Sequence, residues 1–328
     1  MNDFPVLRLG LAGFSDEQQQ AVADVLREGA GESASWEAGD LDGADGWWIN
    51  GARTQTLEDD RIRVASAGTD GRSLQLHLPG VGRPVAFARP LPRDFHALCS
   101  FELSSRDSIQ AVLRKFETWL APVAAQFCLA AHIVEHESAL GRGVFDLSIG
   151  GTLIALVDMQ GEAAVKATVG PADFEGVVWG RRNGPFVVPD NFVRTSLSQL
   201  MWQYAVRTQR DLLPKHYRTA PLHFRRAPRL PQRMLKDSHL LLMRELSSGA
   251  ATFPELAQRC EMAEPQLARH LAALYLVGSI TSNPRRASQH SRPPKEADSG
   301  ATGGDALVSS PPRPVATDRT APAPLRPS

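Results

Sequence analysis

Four arginines, Arg225, Arg226, Arg229 and Arg233, stand in one short stretch beside Phe224 and Tyr217. Guanidinium groups at that spacing neutralise phosphates, and the neighbouring rings offer faces on which bases stack. They belong to a longer basic run. Arg194–Lys236 holds ten Lys/Arg against one acid, Asp211, in a chain whose 36 basic and 36 acidic residues otherwise cancel. Polarisation of this kind points to a polyanionic partner. Residues 1–92 lean the other way, with fourteen Asp/Glu and eight Lys/Arg. The acidic front could mask the basic stretch within one molecule, or both could be solvated faces.

Other residues with chemical potential are sparse. His132-Ile-Val-Glu135-His136 sets two imidazoles one helical turn apart with a carboxylate between them, the pattern that inverzincin metallopeptidases use to hold zinc and activate water. A third ligand is wanted from a downstream helix, and neither Asp190 nor Asp211 stands in a ligand context, so chance on a polar helix face accounts better for the motif. There is no GxSxG elbow, P-loop or GxGxxG. Cys99, Cys128 and Cys260 are odd in number and far apart, which suggests neither a disulfide framework nor a cysteine zinc site and fits a reducing cytoplasm. The start, MNDFPVLRLG, lacks the signature of an export signal, and the apolar run Trp119–Val134 is broken by Pro122, Gln126 and His132. The expectation is a cytoplasmic protein without membrane contact, metal, cofactor or catalytic activity.

These residues need elements to position them. Val6–Phe14 reads as a strand, and Ser15 caps a helical pattern that stops at Gly29 and Gly31. Short strands fit Ser33–Glu37, Gly46–Asn50 and Pro84–Ala88, an α/β alternation across residues 1–92. Trp47 and Trp48, adjacent on a strand, would part to opposite faces. From Ser105 a stripe of Ile109, Val112, Leu113, Phe116 and Leu120 predicts a helix, and Pro122 starts or kinks a second, making residues 93–140 a helical linker. Val144–Ser148, Thr152–Asp158 and Ala163–Val169, joined by glycine turns, form an antiparallel meander in a small α+β middle domain, residues 141–193. Residues 194–235 give an amphipathic basic helix and then an extended basic segment. Within 236–286, Asp237, the capping box Thr252-Phe-Pro-Glu255 and Pro265 start three helices, Gly278 ends the last, and Ser279–Arg286 supplies a short wing. Residues 287–328 are rich in Pro, Ser, Gly, Ala and Arg without an aromatic residue, a composition of disorder.

The strand–helix–strand order of residues 5–92, closing on Arg89-Pro90-Leu91 after what reads as a fifth strand, resembles a response-regulator receiver domain. The resemblance implies a flavodoxin-like sheet. Where receivers carry an acidic pair this chain has Ala12, Gly13 and Phe14, Asn50 replaces the phosphorylated Asp, and Arg89 replaces the Lys. The resemblance therefore implies a degenerate pseudo-receiver that docks a protein partner. Arg269-His270-Leu271-Ala272-Ala273-Leu274 with Gly278 and Ile280 resembles the third helix and following strand of winged-helix regulators. That likeness implies base contacts from Gln266, Arg269 and His270 and phosphate contacts from Arg285 and Arg286. Two RxxxR spacings, Arg225–Arg229 and Arg229–Arg233, and Asp146-Leu-Ser148-Ile-Gly-Gly151 resemble, in reversed order, the signature of PilZ domains, which bind cyclic di-GMP.

The whole reads as a multi-domain chain, α/β plus α+β: a receiver-like domain, a small β-containing middle domain, a winged helix and a disordered tail. The function it implies is that of a bacterial-type, phosphorylation-independent, DNA-binding transcriptional regulator. The alternative is a signalling adaptor that works by protein contact or as a cyclic-dinucleotide effector.

Overall fold

A computed structural model describes residues 3–28, 34–67 and 73–287. The stop at Gly29 and Gly31 and the tail from 288 onwards lie outside the described residues.

The N-terminal part is built on a five-stranded parallel sheet. Its strands are β1 (Val6–Ala12), β2 (Ser35–Gly39), β3 (Gly46–Asn50), β7 (Val85–Ala88) and β8 (Ser100–Phe101), in the order β2-β1-β3-β7-β8. Strands buried on both faces read as nearly continuous apolar runs, and VLRLGLA of β1 is one. Leu7, Leu9, Trp48, Ala86 and Ala88 face α1 (Asp16–Glu28) and the first half of α2 (Arg106–His136). Ala12, Ile49 and Phe87 face the other way, onto Ile62 and Val64 of a three-stranded antiparallel sheet. That sheet, β4 (Thr54–Thr56), β5 (Arg61–Ala65) and β6 (Ser73–His77), stands where a doubly wound fold would place helices. Arg89 and Pro90 follow the fourth parallel strand, not the fifth, because β8 comes after them.

Tight spots confirm how closely this part is packed. A Cβ added to Gly51 would lie 2.5 Å from the Ala88 carbonyl oxygen and 2.6 Å from that of Pro90. Backbone cannot step aside as a side chain can, so Gly51→Ala is expected to cost about 1–3 kcal/mol or more. A thermal melt of that variant checks the figure.

Helix α2 is one 31-residue rod, with Pro122 inside it. The two helices anticipated around Pro122 are therefore one. Leu120 is held on the parallel sheet and Ala125 in the next core, so packing on both sides of the proline outweighs its missing N–H. Beyond Pro122 the helix packs on a second sheet, antiparallel: β9 (Val144–Ile149), β10 (Thr152–Asp158), β11 (Glu162–Lys166), β12 (Val178–Arg181) and β13 (Phe192–Ser196), in the order β12-β9-β10-β11-β13. The β9–β10 turn places Gly150 at φ 54° and Gly151 at φ 79°, the left-handed pair that a tight hairpin requires.

The C-terminal helices share the core of this second sheet. It continues through α3 (Leu197–Arg207), α4 (Asp237–Ser248), α5 (Phe253–Arg259) and α6 (Glu264–Leu276). Three of the end signals act as read: Thr252 N–H donates to Glu255 Oε2 at 2.7 Å, Pro265 lies in the first turn of α6, and Gly278 takes φ 68°. Asp237 does not cap α4 but is its first residue, behind Lys236, whose N–H is taken by His239 Nδ1 at 3.0 Å. No hairpin wing forms at 279–286. β15 (Ile280–Thr281) pairs instead with β14 (His223–Phe224), from ahead of α4, and Pro284–Arg286 is a 3-10 turn. Among the described residues no helix is long and apolar enough to cross a membrane.

Candidate anion-binding surface

The basic stretch divides into paired and unpaired cations. Arg194 is bonded to Glu162, Arg207 to Asp45, Arg210 to Glu135 and Arg218 to Asp211. Lys215, Arg225, Arg226, Arg229, Arg233 and Lys236 are exposed and make no ion pair within 4.0 Å among the described residues. Among the described residues only Arg207 of these cations meets an acid from residues 1–92. The described part of the acidic front therefore does not mask the four arginines.

Arg225 and Arg226 follow β14, and both N–H groups donate to the Ser279 carbonyl, at 2.8 and 3.4 Å. This clamps the segment to the end of α6. Their guanidinium groups gather over Gly278: a Cβ there would lie 3.4 Å from Arg226 Nη2 and 3.5 Å from Arg225 Nη1. Arg286 lines the same cleft, of about 440 Å³, with Tyr217, Tyr275 and Ser198 of the first turn of α3. The rings of Tyr217 and Tyr275 meet edge to face at 5.0 Å. Among the described residues Glu137 is the only acid on the cleft wall. Arg285, whose N–H is capped by Asn283 Oδ1 at 3.0 Å, is exposed nearby in the chain.

The remaining sequence candidates lie elsewhere. Arg229 is exposed between Pro228 and Leu230, and Arg233 opens onto a different cleft, shared with Arg8 and Lys236. Gln266 and Arg269 are exposed near the start of α6. His270 is half-buried and engaged: its Nδ1 lies 2.8 Å from Nε2 of buried His239. Lys236 N–H donates to His239 Nδ1 at 3.0 Å, so a neutral His239 carries its proton on Nε2 and donates to His270. Burial first, then the neighbouring His270 and Lys236, pushes His239 down to about 3. Burial and the cations Lys236, Arg269 and Arg8 push His270 down to about 4. Both rings are thus neutral near pH 7, and His270 acts as a structural link to His239. Past it, Leu271, Ala272, Ala273 and Leu274 are all buried, leaving the first turns of α6 as its accessible part.

The other motifs are taken up by the fold. His132 Nε2 lies 3.1 Å from the Phe174 carbonyl, His136 Nδ1 lies 2.9 Å from the His132 carbonyl, and Glu135 accepts from Arg210 at 2.8 Å. No group of three His, Cys, Asp or Glu able to hold a metal occurs among the described residues. Asp146 pairs with Arg182 at 2.7 Å, not with Arg225, Arg229 or Arg233. Asn50 donates to the Gly13 carbonyl at 3.0 Å and accepts from Ala52 N–H at 3.1 Å, a brace between the ends of β1 and β3. Arg89 meets Glu102 at 3.5 Å. Trp48 is fully buried against Phe101, while Trp47 sits at the rim beneath Arg83. The two tryptophans part as expected, which leaves no paired aromatic docking surface.

Sequence reasoning missed Arg8, Lys236 and His239. The available signal was Arg8 itself, a lone cation inside the apolar run of β1. No family model, curated protein or solved structure matches the chain.

Proposed function

We propose that this protein is a non-enzymatic regulatory protein that binds DNA, with Arg225, Arg226 and Arg286 as its principal phosphate contacts. The observation that carries the reading is the gathering of two guanidinium groups over Gly278, with a third on the same cleft and no ion pair on any of them among the described residues. Like charges brought together repel, and an anion between them relieves that repulsion. Arg285, next to Arg286 in the chain and exposed, adds a further cation. Gln266 and Arg269, on the accessible first turns of α6, are the side chains offered to base edges. Because the arginines are already open, binding needs no unmasking step. The pseudo-receiver reading of the parallel sheet then assigns that part to protein contact.

The test is fluorescence anisotropy of the full-length protein with a random duplex across a salt series. The wild type should bind with a steep salt dependence. Changing Arg225, Arg226 and Arg286 to Ala should reduce the slope of log K against log salt by roughly 2–3, about 0.9 for each lost phosphate contact. Absence of binding at low salt ends the reading.

A second reading, a protein-binding adaptor, draws support from one feature. Leu98 is fully exposed and Trp119 half-exposed beside a cleft of about 440 Å³ that Phe87, Phe95 and Pro84 also line. An adaptor of this kind would show no affinity for DNA and would keep its activity in the triple arginine variant.

A further inference from the structure

We propose that a second cleft, between the β2–β3 loop and the start of α4, binds a small phosphate-bearing molecule. It is separate from the arginine cluster at Gly278, and the proposal does not depend on DNA binding. The cleft has a volume of about 510 Å³, within the range of about 300–1,000 Å³ that small-ligand sites occupy.

Three features of the wall are suited to phosphate. First, Arg8, Arg207, Arg233 and Lys236 line it together. Arg207 is matched to Asp45 at 2.6 Å, whereas Arg8, Arg233 and Lys236 have no ion pair within 4.0 Å among the described residues. Second, Arg8 is half-buried on β1, and among the described residues its guanidinium hydrogen-bonds only to the Val206 carbonyl, at 3.2 Å. Burial, followed by repulsion from Arg207, lowers the pKa of Arg8 from its ordinary value, although Asp45 and Glu37 draw it up. A cation held in that condition gains from an anion brought beside it. Third, Asp237 and Ser238 form the first turn of the 12-residue helix α4, so its N-terminal dipole adds to the field.

Two carboxylates, Asp42 and Asp237, also line the cleft, and neither stands within 4.0 Å of its cations. The field there remains positive. His270, behind the wall, is held unprotonated partly by Lys236, Arg269 and Arg8. Lys236 reaches across the opening, with Nζ 3.7 Å from the place of a Cβ on Gly43. A ligand held by Arg8 on one side and by Arg233 and Lys236 on the other would join the parallel-sheet part to the C-terminal helices. Phosphate groups suit this better than a single carboxylate, because three cations from two separate segments can each take a different oxygen.

The experiment is a titration of the full-length protein with inorganic pyrophosphate, followed by calorimetry and by the imidazole NMR signals of histidine-labelled protein. Saturable binding is expected, with movement of the His239 and His270 signals and little at His77 or His223. In the variant carrying Arg233→Ala and Lys236→Ala, affinity should fall at least tenfold. In the variant carrying Arg225→Ala, Arg226→Ala and Arg286→Ala it should be unchanged, which separates this site from the proposed DNA contacts. Three results overturn the proposal: no binding at millimolar pyrophosphate, binding that survives the Arg233/Lys236 change, or binding that leaves His239 and His270 unmoved.

Discussion

Replacing Asp45 with alanine is expected to destabilise the fold by about 3–5 kcal/mol, because it breaks a buried ion pair. Asp45 and Arg207 keep only 8% and 13% of their side chains exposed, and the carboxylate accepts two guanidinium bonds at 2.6 Å. It also accepts the Arg8 backbone N–H at 2.8 Å. Removing it leaves Arg207 buried without a counter-charge and Arg8 N–H without its acceptor, beside a second cation. Urea denaturation of Asp45→Ala measures the loss. The exposed pair Arg27–Asp24 is the control: its removal should change stability by no more than about 0.5 kcal/mol. Equal effects at the two places would contradict the role given to burial of the Asp45–Arg207 pair.

The second large effect is a loss of stability in mild acid. The folded values of His239 and His270, about 3 and about 4, lie below the ordinary value of 6.5. As pH falls below 6.5, the unfolded chain takes up protons that the folded rings refuse. Their contribution to stability is therefore complete above about pH 6.5 and is lost as pH falls towards their folded values. The slope is about 1.4 kcal/mol per pH unit for buried His239 and less for half-buried His270. The measurement is the urea midpoint at several pH values between 7 and 4.5. The wild type should lose stability steeply across that interval, and His239→Leu should lose it with a shallower slope. Parallel curves for the two proteins would remove the histidine pair as the cause.

What could be read in advance was local. The strands at Val6, Gly46 and Val85, the helix after Ser15, the hairpin at Gly150-Gly151 and the caps at Thr252 and Pro265 announce themselves within a few residues, because cap and turn chemistry is settled by neighbours. The meander at β4–β6 was missed even though Arg61-Ile62-Arg63-Val64 alternates. Its strands are short, and more than half of each faces water. The wing was misplaced because the partner of β15 is β14, which lies on the far side of three helices in the sequence. The same limit applies to the site. The charge of Arg194–Lys236 is plain, yet nothing local says that Arg207 turns inward to Asp45 while Arg225 and Arg226 turn outward over Gly278. His270 looked like a reader of bases because its engagement by His239 is a contact between two helices.

Helix α2 has one more implication. Its first half closes the parallel sheet and its second half closes the antiparallel one, so neither core is complete on its own stretch of chain. A piece ending at residue 92 would leave Leu7, Leu9 and Trp48 without the side chains of α2 that cover them. A piece beginning at residue 194 would strip α3 of the sheet on which it rests. Selection therefore acts on the two halves together. Although the architecture suggests interchangeable parts, neither could be traded between proteins unless the rod went with it.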